Sequence, residues 1–276
     1  MNRTRWLEIV RYSASVAVTA MFMAPLIWWA LTSLKPPSAI FDKDRVVVFD
    51  FTPTLQNYAI TLGGNGPEAL SARQAFIDST LIAILVTVFT IILATMAGFA
   101  LSRLTGRLRS VGMLFFLMFR IMPPIALIIP AVSLSHAIGL FDTRMGVVVM
   151  QMMFTLPVAS LMLASFFDDI PREVDEAARL DGASAFNVLI RIAAPMIQGG
   201  IAATAILCFM FSWTEFLMAL FMSVSFRTLP VMLSILSMGM WGPLAALGTA
   251  AMVPAFIAIL LVQKHLARGL SMGLQK

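Results

Sequence analysis

Charge is scarce in this chain. Charged residues make up 12% of its 276 residues against 60% hydrophobic ones, and mean hydropathy is +0.92. A soluble domain carries about 25% charged residues, so the apolar excess has to face lipid, and the chain reads as an integral membrane protein. A single cysteine, Cys208, excludes an internal disulfide and a cysteine-based metal site, and fits a small apolar side chain inside a helix. Two histidines, His136 and His265, are too few for a desaturase-like enzyme. Neither has a serine partner at matching depth for an intramembrane protease. The four lysines, Lys35, Lys43, Lys264 and Lys276, are neither preceded by glycine nor followed by serine or threonine. A phosphate-cradling P-loop is therefore missing, no cofactor is expected on this chain, and any ATP and magnesium would be bound by a partner. A net charge of +5 would point to nucleic acid in a soluble chain. Here it reads as basic anchors on one side of a membrane, with lipid rather than nucleic acid as the neighbour.

What is abundant is long apolar runs. A spanning helix needs about 20 mostly apolar residues. Tyr12–Leu34, Ser79–Ser102, Ser110–Phe141, Gly146–Phe167 and Ile192–Phe226 each provide one, and the run from Thr228 to Gln263 is too long for a single span. Pro230, Gly239, Gly242 and Pro243 break that run, placing a loop at 223–243 and a last helix at 244–263. Six spans result, in one membrane domain over 12–265 between an N-terminal segment 1–11 and a tail 266–276. The first run is too long for the apolar core of a signal peptide and reads as retained. Six spans put both termini on one side. Twelve lysines and arginines fall on that side and six on the other, with Arg120 inside a span, so the positive-inside rule makes the termini and the 168–195 connector cytoplasmic. The 35–78 segment, with Lys35, Lys43, Arg45 and Arg73 balancing Asp42, Asp44, Asp50 and Glu68, reads as a solvated external surface available to a partner.

The connector is the exception to the apolar rule. Residues 175–195 read DEAARLDGASAFNVLIRIAAP. Pro171 suits the first turn of a helix, and Glu173, Asp175 and Glu176 favour its early turns. Gly182 suits its C-terminal cap, and Ser184 can cap a second helix in which Phe186, Leu189, Ile190 and Ala193 recur at helical spacing. The expected form is a helix–turn–helix along the membrane, with small Ala177 and Ala178 providing a close-approach surface. Turn chemistry this regular in a 28-residue connector favours a docking element over a plain solvated loop.

The run Glu176-Ala177-Ala178, three residues, Gly182, nine residues, Ile192 resembles the EAA loop of permease subunits in binding-protein-dependent ABC importers. That pattern closes Ile-x-Leu-Pro, and here Ala194 stands in place of the leucine before Pro195. Residues 177–184, Ala-Ala-Arg-Leu-Asp-Gly-Ala-Ser, resemble the carbohydrate-uptake branch of maltose-type permeases. So do Arg120-Ile-Met-Pro-Pro with Pro130, Gly139-Leu-Phe-Asp-Thr, the tail Gly269-Leu-Ser-Met-Gly-Leu, and Ser212-Trp-Thr-Glu-Phe, where Thr214 replaces an asparagine. The resemblance implies an all-α membrane protein of six transmembrane helices with a cytoplasmic coupling-helix loop, the type I ABC importer permease fold, in a bacterial inner membrane. It implies a second permease subunit, two ATP-binding cassette subunits, an extracytoplasmic solute-binding protein and a carbohydrate-type cargo. Glu176, Ala177, Ala178, Asp181, Gly182 and Ser184 would then couple the chain to the ATPase, the tail would reach the same partner, and the 223–243 loop would probe the binding protein. A secondary transporter or channel is the rival, but inverted repeats and a coupling-ion site of its own are not visible in the sequence.

Charges inside spans mark pathways or partners. Arg120 lies about eleven residues, roughly 16 Å, into the third run. It either lines the translocation path or pairs with Glu215 of the fifth run or with a partner's carboxylate. It slightly favours an anionic ligand, although the same arginine is common in the branch. Gln151 and Trp213 are candidates for sugar contact through an amide and an indole face, with interhelical packing as the plainer role for each. Pro123, Pro124 and Pro130 are expected to kink or interrupt the third helix.

Overall fold

The computed structural model describes residues 3–42, 47–63, 67–237 and 239–273, with side chains placed in 8–42, 47–63, 71–237 and 239–261. The described residues contain helices and no strand. In chain order the principal helices are α1 (Arg3–Ser33), α2 (Pro67–Arg103), α3 (Gly106–Ile121), α4 (Pro124–Ala137), α5 (Arg144–Asp168) and α6 (Arg172–Leu180). They continue as α7 (Ala185–Met196, its last two turns partly π-helical), α8 (Gln198–Trp213), α9 (Leu217–Met222), α10 (Leu229–Leu236) and α11 (Trp241–Gly273).

Four of these hold single segments long and apolar enough to cross a membrane: Glu8–Ser33, Ser71–Arg103, Arg144–Asp168 and Trp241–Leu261. Two bent pairs, α3 with α4 and α7 with α8, bring the number to six when each pair counts as one span. The third run over 110–141 is interrupted at its proline pair, as expected from the sequence, and α3 and α4 meet at 93°. Met122 and Pro123 are both extended (ψ 128° each), as expected for residues that precede prolines. Neither proline supplies a helical N–H there. Pro130, by contrast, sits inside α4 without ending it. The fifth run is likewise interrupted: α7 turns through 84° into α8, and residues 214–216 separate α8 from α9.

Contacts divide the chain into two units, residues 1–73 with 232–253 and residues 74–231 with 254–276. In the first, the segment after α1 folds back on that helix. The Asn57 amide donates to the carbonyls of Ser33 and Lys35 at 2.9 Å each, and the Tyr58 and Ser33 hydroxyls meet at 2.9 Å. Lys35 is buried, donates to the Val47 carbonyl at 2.5 Å and lies 4.1 Å from the centre of the Trp28 ring. Burial lowers its pKa from the usual lysine value. The 35–78 segment is therefore not a uniformly solvated surface, and its last part, from Pro67, is helical. Lys43, Asp44 and Arg45 lie outside the described residues, as does the side chain of Glu68.

The second unit holds two apolar clusters. One gathers Ile82, Val86, Val147, Val148 and Met222. The other gathers Phe99, Leu163, Phe167, Val188 and Leu189, with the Phe99 and Phe167 rings edge to face at 5.3 Å. Gly98 allows this crossing of α2 on α5, since a Cβ there would sit 2.9 Å from the Ala164 nitrogen and 3.0 Å from the Ser160 oxygen. Thr143 caps α5 by accepting from the Gly146 N–H at 3.0 Å. Just before it, Asp142 adopts a left-handed backbone (φ 57°), and its carboxylate accepts from the Val224 and Ser225 N–H groups at 2.7 and 2.9 Å. The expected loop over 223–243 is only partly a loop, because α10 occupies Leu229–Leu236.

Candidate functional site

Within the second unit, α5 and α8 face one another across a cavity of about 230 Å³, bounded also by Arg120 of α3. Its walls are mostly apolar, and the polar exceptions are Arg120, Gln151, Thr155, Thr204, Ser212 and Glu215. A buried polar group in an apolar setting is costly unless bonded, and here most are. Gln151, 2% exposed, accepts from the Ser212 hydroxyl at 2.5 Å and donates to Glu215 Oε2 at 3.3 Å. The Thr155 hydroxyl lies 3.1 Å from the Thr90 hydroxyl, which joins α5 to α2. Glu215 stands in the break before α9 and accepts from the N–H groups of Met218 and Ala219 at 2.7 and 3.1 Å. A carboxylate at that place satisfies donors that have no partner within their own helix.

Of the alternatives for Arg120, the geometry removes the pair with Glu215. Glu215 is committed to α9 and Gln151, and among the described residues Arg120 makes no ion pair with it. The guanidinium lies 5.9 Å from the centre of the Phe211 ring, at the cavity wall. Arg120, Gln151 and Glu215 are thus brought together, and Trp213 is not. Trp213 is buried away from the cavity, edge to face with Phe76 at 5.4 Å and stacked on Phe209 at 5.8 Å, so its indole packs the bundle. Ser212, Thr155 and Thr204 were not singled out in the sequence. A spacing signal exists for two of them: Thr155 follows Gln151 by four residues on the same helix, and Thr204 precedes Ser212 by eight, so each pair shares a helix face.

The charged island folds as its turn chemistry dictates. α6 starts after Pro171, its N-cap, and ends before Gly182, whose φ of 86° a side chain would strain. The Ser184 hydroxyl then accepts from the Asn187 N–H at 3.3 Å to cap α7. Glu176, Ala177, Asp181, Gly182 and Ser184 are all exposed. Ala178 is not: it turns inward against the cluster around Phe99 and Phe167, which corrects its place on the outer face. The apolar residues of α7 also split, with Leu189 and Ala193 buried and Phe186 and Ile190 exposed, each pair four residues apart on its own face. Leu180, which sequence reasoning passed over, is 90% exposed between Arg179 and Asp181.

Charge pairs fasten this island from beneath. Arg103, the last residue of α2, holds the buried Asp175 of α6 through Nε and through Nη2 (3.3 Å), and donates from Nη1 to the Phe167 carbonyl at 3.0 Å. Arg109 and Asp168, each about one-third exposed, pair at 2.5 Å. The tail motif from Gly269 lies where only the α11 backbone is described, and 274–276 lie outside the described residues.

With this geometry in place, the comparison with known proteins is decisive. Residues 90–272 match the family model of the binding-protein-dependent transport system inner membrane component. The chain belongs to that family. The permease is 29% identical over 272 residues to the sulfoquinovosyl glycerol transport system permease protein of Agrobacterium fabrum, covering 96% of this chain and 92% of the relative. It is 29% identical over 268 residues to the trehalose transport system permease protein of Mycobacterium tuberculosis, covering 94% of each. Its fold is similar to a chain in the crystal structure of a bacterial ABC transporter involved in the import of the acidic polysaccharide alginate, with a TM-score of 0.76, 19% identity, and coverage of 96% and 98%. The permease is thus the multi-pass membrane subunit of an ABC importer, with the type I fold expected from its sequence. It is a transport subunit and not an enzyme.

Proposed function

We propose that the permease moves a sugar or sugar derivative, delivered by an extracytoplasmic binding protein, into the cytoplasm. It works beside a second permease subunit, and the energy comes from two ATP-binding cassette subunits that bind the ATP and magnesium. Relatives named for sulfoquinovosyl glycerol and trehalose transport support the cargo class. The cavity, with its amide, hydroxyl and guanidinium groups set in apolar walls, is the place on this chain suited to polar cargo. The twelve-to-six distribution of basic residues supports cytoplasmic termini and a cytoplasmic island.

The observation that carries the coupling role is the outward face of the island. Glu176, Ala177 and Asp181 surround Leu180 at 90% exposure, and Phe186 follows at 62% on the next helix. Large apolar side chains exposed on the most charged element of the chain mark a docking surface rather than a lipid contact. Leu180 and Phe186 fit an apolar cleft on the ATPase, Glu176 and Asp181 fit polar contacts at its rim, and Gly182 and Ser184 fix the angle between the two helices.

The test is ATPase activity of the complex in proteoliposomes, stimulated by liganded binding protein, for the unaltered chain and for Glu176→Lys with Leu180→Asp. Retained membrane assembly with stimulation lost is the expected result. Transport without the ATPase, or normal stimulation in the doubly substituted complex, would overturn the reading.

A further inference from the structure

One guanidinium in the second unit binds three helices at once. Arg103 closes α2, its Nε and Nη2 engage both oxygens of Asp175 in α6, and its Nη1 holds the Phe167 carbonyl in the last turn of α5. The group is set firmly: the Arg103 and Asp175 side chains are 16% and 8% exposed, and the Phe99 ring lies 5.2 Å below the guanidinium. A planar fork on a carboxylate fixes direction as well as distance, which a point charge or an apolar contact does not. The other inward contacts of α6 come from small groups, Ala178 and the partly buried Val174. They can slide, and the fork cannot. The second ion pair beneath the island, Arg109 with Asp168, is about one-third exposed on both sides and so weakly directing.

The two helices that Arg103 grips lead to the cavity. Thr90 lies thirteen residues back along α2, about 20 Å at 1.5 Å per residue. Its hydroxyl meets that of Thr155 at 3.1 Å, and Thr155 lines the cavity beside Gln151, with Thr90 itself fully buried. α5, held at its Phe167 carbonyl, is the helix that carries Thr155 and Gln151. A displacement of α6 transmitted through Arg103 therefore reaches the cavity by two continuous helices, α5 with Pro157 inside it, that are bonded to each other at its wall.

We infer that Arg103 and Asp175 are positioning residues of the transport cycle: their buried fork converts displacement of α6 into joint movement of α2 and α5 at the cavity. Asp175 lies on the inner side of α6 with Arg103 at the end of α2 against it, and neither lines the cavity. This inference rests on the proposed docking of the ATPase at α6.

The experiment uses the full complex with its ATPase and binding protein in proteoliposomes, and compares Asp175→Asn, Arg103→Gln, the exchange Arg103→Asp with Asp175→Arg, and Arg109→Gln as a control. Assembly, basal ATPase activity, stimulation by liganded binding protein and cargo moved per ATP are measured for each. The expected result for Asp175→Asn and Arg103→Gln is assembled complex with basal activity within about two-fold and cargo per ATP reduced at least ten-fold. The exchange should recover part of that loss, and Arg109→Gln should match the unaltered chain. A normal transport ratio in assembled Asp175→Asn overturns the inference and leaves the docking proposal standing. Loss of assembly in both neutral variants, unrelieved by the exchange, also overturns it, because the pair would then serve folding alone. Absence of stimulation in the unaltered complex would remove the docking proposal and this inference together.

Discussion

Replacing Gln151 with leucine tests whether the cavity wall is a bonded network or a set of independent polar groups. The Gln151 side chain is 2% exposed, takes the Ser212 proton at 2.5 Å and gives one of its own to Glu215 at 3.3 Å. Leucine keeps most of the volume and leaves the Ser212 hydroxyl without that acceptor. An orphaned buried partner costs about 1–3 kcal/mol in soluble proteins, while interhelical hydrogen bonds in membranes average about 0.6 and reach about 1.7 kcal/mol. Gln151→Leu should therefore destabilise the assembled complex by about 1–2 kcal/mol. Ser212→Ala alone should cost about 1 kcal/mol, since it removes the donor and leaves the buried Gln151 Oε1 without it. Added to Gln151→Leu it should cost almost nothing, giving a coupling energy of about 1 kcal/mol in a double-mutant cycle. Thermal unfolding of the purified complex gives the four stabilities. The amide also has a second N–H and a spare lone pair, which on a cavity wall are free for cargo hydroxyls. Half-saturation for transport should thus rise about five- to tenfold in Gln151→Leu and stay near normal in Ser212→Ala. Additive penalties in the cycle would refute the network, and an unchanged half-saturation would refute the cargo contact.

Arg144→Ala should be among the most damaging changes at a helix start. Asp78 is 1% exposed and is bonded by Arg144 Nε at 2.6 Å and by Gln74 at 3.0 Å, so losing the arginine strands a buried charge. The cost should fall at the lower end of about 3–5 kcal/mol, because Arg144 itself is 44% exposed. Asp78→Asn made together with Arg144→Gln should recover most of it, and thermal unfolding of the complex reads both. Asp142 gives a pH prediction. The N–H groups of Val224 and Ser225 hold its carboxyl below the usual carboxylate range. A depressed folded value means that its contribution is complete above the unfolded value of about 4 and is lost as pH falls through the lower folded value. Hydrogen exchange at Val224 and Ser225 should therefore keep the protection this contact gives between pH 5 and 8 and lose it only on further acidification. Asp142→Ala should accelerate exchange at those two amides throughout that range, and unchanged exchange would show that the carboxylate does not hold the turn.

Local chemistry was legible in the sequence, and facing was not. Gly182, Ser184 and the Pro123–Pro124 pair act through their own backbone constraints, so the turn of the island could be read before any packing was known, as could a break in the third run. The six apolar runs were legible for a similar reason, since span length is set by bilayer thickness. Which side of a span looks inward is a different matter. In a soluble helix the polar face reveals the buried one, but here lipid and core are both apolar, and Trp213 inside the bundle reads the same as it would outside it. Ala178 failed for a related reason, because a small residue suits a docking surface and a tight core equally.

The charged pairs show the remaining limit and explain where it lies. Arg103 and Asp175 are separated by 72 residues, Arg144 and Asp78 by 66, and Gln151 and Glu215 by 64. No local pattern selects these partners, because each is chosen by which helices cross. A chain with so few charges still has a rule for them: inside or beside the membrane an unpaired charge is expensive, so each one must be assigned to a partner or to a function. Asp78, Asp175 and Glu215 all find donors on other helices or on a backbone turn. Arg120 instead faces the cavity, with its guanidinium 5.9 Å from the centre of the Phe211 ring and no ion pair among the described residues. The same energetic rule that makes the paired residues structural therefore sets Arg120 apart as the charge on which the proposed cargo path can be tested.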